Sequence, residues 1–123
     1  MDPKPVIANP VVINRLEPIT DWSEWDDRRD RVVKIVIGSL KKEETIKMAT
    51  LPEDLANRFE NLTHLHLWGI RGLKTLPPLP TGLKCLDVRK CPDFEGVAEM
   101  PDGLETLDYG ECRKVARLPK APP

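Results

Sequence analysis

Residues 62–82 read LTHLHLWGIRGLKTLPPLPTG, residues 83–103 read LKCLDVRKCPDFEGVAEMPDG and residues 104–123 read LETLDYGECRKVARLPKAPP. The first two segments have 21 residues each, the third is one residue shorter, and apolar residues return at the same positions in all three. The first position of the copies is Leu62, Leu83 and Leu104, and the fourth is Leu65, Leu86 and Leu107. The sixth position is Leu67, Val88 and Tyr109, and the ninth is Ile70, Cys91 and Cys112. Such a period predicts a stack of similar structural units around one continuous core.

Each of these copies predicts a β-strand in its first six residues. Side chains at the fourth and sixth positions would point into the core, and those at the third and fifth positions would point away from it. Strands one copy apart would be parallel neighbours, about 4.8 Å from each other. The proline-bearing second half of each copy would return as irregular chain along the convex side. In this arrangement the strands would lie on the concave face of the stack of copies.

The segment VVKIVI, residues 32–37, has the β-branched composition of a strand and the same phase as the later copies. Val32, Ile35 and Ile37 match the first, fourth and sixth positions. The next copy begins 30 residues further on, so its return path is longer. We predict that residues 52–59 form a short helix in this path, with Pro52 at the first helical position. The array would therefore hold four parallel strands.

Residues 1–31 predict an extended segment followed by a capping helix. Residues 11–13 (VVI) are a candidate short strand, and Thr20 or Asp21 can cap a helix in the stretch ITDWSEWDDRRD. Trp22 and Trp25 would cover the end of the core, which a repeat array otherwise exposes to water. The predicted organisation is residues 1–31 as extended segment and cap, followed by copies at 32–61, 62–82, 83–103 and 104–123.

The recurring pattern L-x-x-L-x-L-x-x-N/C-x-L resembles that of the leucine-rich-repeat family over residues 32–123. The stretch LPPLPTGL at residues 76–83 is similar to the turns of bacterial secreted effectors of the LPX type. Cysteine at the ninth position is similar to the repeats of plant immune receptors, whereas residues 97–101 (VAEMP) depart from the Leu-Pro form. The resemblance implies an α/β leucine-rich-repeat solenoid with parallel strands on the concave face, an N-terminal helical cap and an irregular convex side.

The same resemblance implies a protein-recognition module, the target-binding part of a larger effector or receptor. In such effectors the repeats select targets for a separate catalytic domain, and in receptors they sense ligands. We therefore expect no enzymatic activity and no cofactor within this chain. We expect a cytoplasmic or other reducing location, and the resemblance to effectors adds delivery into a host cell as an alternative.

The bulk composition excludes several other classes of function. The formal net charge is -1, without the basic excess that binding to nucleic acid requires. No apolar run approaches the ~20 residues of a membrane span. Three cysteines, an odd number without a close pair, argue against a disulfide framework and for a reducing compartment.

The outward positions of the strands are the candidate binding site. We expect Trp68 and Arg89 to be the central residues of this site, because tryptophan and arginine are the residue types that most often dominate the affinity of protein interfaces. We predict a protein partner on this concave face rather than a merely solvated sheet surface. The candidate partner-binding residues are His64, His66, Trp68, Cys85, Asp87, Arg89, Thr106 and Asp108.

A metal site or a thiol-dependent activity is the alternative function. His64, His66, Cys85 and Asp87 would form a block on adjacent strands, and their side chains suit Zn²⁺. No local ligand spacing supports this site, and neighbouring strands spread ligands away from a tetrahedron. A nucleophilic Cys85 would lack an orienting group and an oxyanion hole. Cys91 and Cys112 are interpreted as buried structural thiols.

The strand at residues 104–109 would be an open edge, because nothing in the sequence beyond it resembles a cap. Open edges invite pairing with another chain. Three interpretations follow: the chain is part of a longer protein, two copies form a homodimer through this edge strand, or the proline-rich tail folds over it.

Overall fold

The computed structural model describes residues 8–41, 45–49, 51–96 and 100–112. It shows an α/β fold with a five-stranded parallel sheet that is not closed into a barrel, in the order β1-β2-β4-β6-β7, and a two-stranded sheet of β3 and β5. The α/β class and the parallel sheet are therefore confirmed. The strands are β1 (Val11–Arg15), β2 (Val32–Gly38), β3 (Ile46–Lys47), β4 (His64–Trp68), β5 (Ile70–Arg71), β6 (Cys85–Arg89) and β7 (Thr106–Asp108), and the one α-helix of the described residues is α1 (Leu55–Arg58).

The 21-residue period of the sequence determines which residues are paired across β4, β6 and β7. His64 on β4 lies beside Cys85 on β6, which lies beside Thr106 on β7, so each of these two steps across the sheet is 21 residues. Lys34 on β2 lies beside His64, which puts β2 in the same phase. Residues at equivalent positions therefore form continuous rows across neighbouring strands.

One side of the sheet forms the core, and its rows are the apolar positions of the repeat. The first, fourth and sixth positions of the two copies that contain β4 and β6 are fully buried, and so are Ile70 and Cys91 at the ninth position. Leu107 and Tyr109, in the last copy, are only partly buried and pack against this core. The later apolar positions Val97, Val115 and Leu118 lie outside the described residues.

The sheet contains one strand more than the four that the repeats predict. The candidate strand at residues 11–13 is β1, which pairs in parallel with β2 and places Ile13 beside Ile35. Ile13 is buried in the core although the segment lacks the leucine pattern of the repeat. The sheet therefore begins before residue 32.

The predicted capping helix forms two short 3₁₀ helices, Trp22–Trp25 and Arg29–Arg31, instead of an α-helix. Apolar residues every third position suit three residues per turn. Asp21 is the N-cap, and its carboxylate accepts a hydrogen bond from the Ser23 N–H at 3.1 Å. Trp25 is buried, and Trp22 packs at 6.1 Å from it and 5.9 Å from Phe59, measured between ring centroids. Both tryptophans therefore pack on the core as predicted.

The helix predicted at residues 52–59 is shorter than expected. It runs from Leu55 to Arg58, and Pro52 precedes it in a turn whose carbonyl accepts a hydrogen bond from the Leu55 N–H at 3.1 Å. Leu55 and Phe59 are fully buried, so the helical face that the spacing predicts does pack on the core. Within the described ranges, no helix has the length and apolar character needed to cross a membrane.

Candidate functional site

The eight candidate residues lie together on the side of the sheet that faces away from the core, which we call the open face. They come from the middle strands β4 and β6 and from the edge strand β7. Register places them in three rows across the sheet: His64, Cys85 and Thr106; His66, Asp87 and Asp108; and Trp68 beside Arg89.

An arginine and a carboxylate on one strand form the strongest polar contact of the open face. Arg89 donates to both oxygens of Asp87, from Nε at 2.7 Å and from Nη2 at 2.6 Å. Cross-strand pairing of Arg89 with Asp108 is much looser, since Nε lies 3.8 Å from the Asp108 Oδ2. Bidentate pairs of this kind fix an arginine in one orientation.

Asp87 is nearly buried and remains ionised because its neighbours satisfy it. Burial raises the pKa of this carboxyl, but hydrogen bonds from Arg89 and His66 outweigh burial and hold the pKa below its ordinary value. The His66 Nδ1 lies 3.3 Å from the Asp87 Oδ2. The same hydrogen bond to Asp87 raises the pKa of Arg89, so the pair is ionic at neutral pH.

Trp68 is packed between the arginine and a histidine. Its ring centroid lies 5.7 Å from the Arg89 Cζ and 5.3 Å from the His66 ring, which it meets edge-on. Cation–π contact of this kind contributes about 0.5–1 kcal/mol at partly exposed sites. The indole N–H lies near enough to lower the Asp87 pKa, although no acceptor meets it at hydrogen-bond geometry among the described residues.

His64 has a defined proton position. The Thr63 hydroxyl donates its hydrogen to the Val33 carbonyl at 3.0 Å, so it accepts from the His64 Nδ1 at 2.8 Å. This contact puts the proton on Nδ1 and leaves Nε2 as an acceptor. Burial, followed by the charges of His66 and Lys34, lowers the pKa of His64. The rings of His64 and His66 stack with centroids 6.3 Å apart.

The geometry does not favour the metal or thiol alternative at His64, His66, Cys85 and Asp87. Burial, with a contribution from the charge of Asp87, raises the pKa of the Cys85 thiol, which disfavours the thiolate that a metal or a nucleophilic reaction needs. Both oxygens of Asp87 are already bonded to Arg89. In the part of the chain that the structure describes, no group of three or more His, Cys, Asp or Glu is arranged to hold a metal ion.

Cys91 and Cys112 are buried thiols on the core side of the sheet. The Cys91 Sγ donates to the Leu67 carbonyl at 3.5 Å, and the Cys112 Sγ donates to the Val88 carbonyl at 3.0 Å. Each sulfur thus bonds the backbone of the strand one copy earlier. The neighbouring sulfur of Cys112, together with burial, raises the pKa of Cys91. These contacts agree with the structural role predicted for both residues.

The sequence-based site omits the open-face residues of β1. Val12 and Asn14 lie beside Lys34 and Val36 in the rows described above, and Leu16 follows directly after the strand. The signal in the sequence was the alternation of VVINRL, in which Val11, Ile13 and Arg15 share one face and Val12, Asn14 and Leu16 the other.

Comparison of the chain with protein-family models, with curated proteins and with solved structures gave no match. The fold and the geometry of the open face are therefore the basis for assigning a function.

Proposed function

We propose that this chain is a leucine-rich-repeat protein that binds a protein partner through its open face. The repeat assignment is supported by the parallel sheet, by the 21-residue step from β4 to β6 and from β6 to β7, and by the buried apolar rows. In this proposal the five strands form the concave face of a short solenoid. The described irregular residues after β5 and β6, which are 72–84, 90–96 and 100–105, form its convex side.

The observation that carries the binding proposal is the cluster of Trp68, Arg89, His66 and Asp87. Asp87 fixes the Arg89 side chain, and Arg89 and His66 fix the Trp68 ring. An aromatic ring and a guanidinium that are already ordered lose little conformational entropy when a partner covers them. Tryptophan and arginine in this state are typical of residues that dominate interface affinity.

The cluster still has exposed hydrogen-bonding groups that its internal contacts do not use. About a third of the Arg89 side chain is exposed, and its Nη1 is not used in the two bonds to Asp87. Asp108 is about half exposed beside it. A partner that meets this face would therefore find the Trp68 ring, the Arg89 donor and the Asp108 acceptor side by side on neighbouring strands. In the same proposal, the chain is the target-binding part of a larger effector or receptor and is not itself an enzyme.

Quantitative capture from cell lysate, followed by calorimetry with each purified captured protein, tests the proposal. Trp68→Ala and Arg89→Lys are the test variants, because both change the cluster without introducing a like charge beside Asp87. Loss of a central interface residue costs about 2 kcal/mol or more of binding free energy. Each variant should therefore lower the affinity for the partner by roughly 30-fold.

Matched controls lie away from the open face. Arg71→Lys makes the same chemical change at an exposed arginine on β5, and Leu76→Ala removes a partly buried apolar side chain that packs against the core. Both controls should bind the partner as the wild type does. If the captured proteins bind Trp68→Ala and Arg89→Lys with unchanged affinity, the binding site is not on the open face and the proposal is wrong.

A further inference from the structure

The strand β1 and the residue after it, Leu16, combine exposed apolar side chains with an unpaired sheet edge. It is the first strand in the order of the five-stranded sheet, and no other described strand pairs with its outer side. Val12 is 53% exposed and Leu16 is 61% exposed, and they are the only large hydrophobic residues that the described part of the chain leaves exposed. Exposed apolar residues on an open edge are the typical features of a strand that pairs with another chain.

The backbone of β1 directs hydrogen-bonding groups toward this edge. On β6 and β7, the residues in the row of Cys85 donate to the preceding strand: the Cys85 N–H to the Thr63 carbonyl and the Thr106 N–H to the Lys84 carbonyl. Val12 occupies this same row on β1, through Lys34 and His64. Since alternate residues of a strand direct their N–H and C=O groups to the same side, Val12 and Asn14 direct theirs to the outer edge.

We propose that two copies of this chain form a homodimer by antiparallel pairing of β1 with β1, with the two-fold axis at Asn14. Val12 and Leu16 lie two residues on either side of Asn14 in the sequence. Antiparallel pairing about Asn14 therefore puts Val12 opposite Leu16 of the second copy, and Leu16 opposite its Val12. Side chains and backbone groups are both self-complementary, as a two-fold interface requires.

The composition of β1 suits this pairing better than that of the other edge strand. Val12, Asn14 and Leu16 carry no charge, and Arg15 on the core side is held by Glu24 at 2.8 Å and by the Trp25 ring at 5.2 Å. The opposite edge, β7, has three residues, and its Asp108 is a half-exposed charge of the kind that protects edges from pairing. The dimer proposed here is thus distinct from the one predicted through residues 104–109, and it does not depend on the proposed function.

The mass of the full chain in solution, measured by sedimentation over a range of concentrations, is the first test. A reversible monomer–dimer equilibrium is expected. Val12→Lys combined with Leu16→Lys places like charges opposite one another across the interface. This variant should move the midpoint to at least about tenfold higher concentration, which a loss of 1.4 kcal/mol already produces. Val12→Lys combined with Leu16→Glu places opposite charges in those positions and should restore the dimer.

Cross-linking tests the register. In a Cys85→Ser background, Asn14→Cys should form a disulfide-linked dimer under mild oxidation, because paired residues of this type have Cα atoms about 5.5 Å apart. Val12→Cys is the matched control. In this register the two residues numbered 12 are four residues out of line, about 14 Å apart, and should not link. Circular dichroism of each variant confirms that the fold is kept.

Three results would overturn the proposal. A monomer at every concentration means that the edge is covered within the chain itself or does not pair. Species that keep growing with concentration indicate head-to-tail pairing of β7 with β1. A dimer that survives Val12→Lys with Leu16→Lys, and is lost with Thr106→Lys, places the interface on residues 104–109.

Discussion

Arg89 donates two hydrogen bonds to the carboxylate of Asp87, at 2.7 and 2.6 Å, from a position two residues further along the same strand. Both side chains lie on the open face, where Asp87 is nearly buried and Arg89 is partly exposed. The pair neutralises a carboxylate that would be costly to bury alone, and it orients the guanidinium over the ring of Trp68.

Arg89→Ala should lower the free energy of unfolding, because it leaves the Asp87 carboxylate with only His66 as a side-chain hydrogen-bond donor. Breaking a fully buried pair costs 3–5 kcal/mol, and we expect about 2–3 kcal/mol here since Arg89 is partly exposed to water. Urea denaturation measures the change. Adding Asp87→Asn to Arg89→Ala should recover part of the loss, because the buried charge is then removed. A loss no larger than that of the control Arg71→Ala would show that Asp87 does not depend on Arg89.

Most of the sheet could be predicted because the repeat fixes both the position and the register of the strands. The 21-residue period places β4, β6 and β7 in line, and apolar residues at the first, fourth and sixth positions identify the buried side. β1 could not be counted as a copy, because Val11 and Ile13 form no leucine pattern. Its place beside β2 depends on tertiary packing of Ile13.

The rows of the open face were predictable for the same reason, whereas the contacts within a row were not. The period puts Asp87, Arg89 and Asp108 on one face, but it does not decide whether an arginine reaches across to the next strand or back along its own. That choice depends on side-chain rotamers and on burial, and Arg89 bonds Asp87 because the buried carboxylate gains more from the contact than the half-exposed Asp108 does.

Gly38→Ala should be strongly destabilising. Gly38 has φ +91, a backbone conformation that residues with a side chain rarely adopt, and an added Cβ would lie 1.8 Å from the Trp68 carbonyl oxygen. Strain and the displacement of β4 together should cost at least about 2–3 kcal/mol in urea denaturation. Gly82→Ala is the matched control, because an added Cβ there meets no atom within 4 Å. Equal effects of the two substitutions would show that β2 and β4 are not in close contact at Gly38.

Trp25→Ala should destabilise the chain more than Trp22→Ala. Trp25 is 3% exposed and stacks with the Arg15 guanidinium, whereas Trp22 is only partly buried. Removal of a large buried aromatic side chain costs about 3–5 kcal/mol, since a cavity remains at the end of the core. Urea denaturation of both variants gives the comparison. The opposite order would mean that Trp22, through its contact with Phe59, closes the core instead.

Stability should fall when the pH is lowered through 6.5, and His64 should account for part of this fall. Burial, followed by the charges of His66 and Lys34, lowers the His64 pKa of the folded chain below the ordinary value of 6.5. The unfolded chain therefore binds a proton at a higher pH than the folded chain, so stability is lost from pH 6.5 down to the folded pKa and is constant below it. Asp87, whose pKa is lowered from 3.8, contributes stability that is lost only in more acidic solution.

Urea denaturation from pH 8 to 5 should show a shallower decline for His64→Gln than for the wild type, and an NMR titration should place the His64 pKa below 6.5. Parallel declines of the two proteins over this range would assign the pH dependence to other groups.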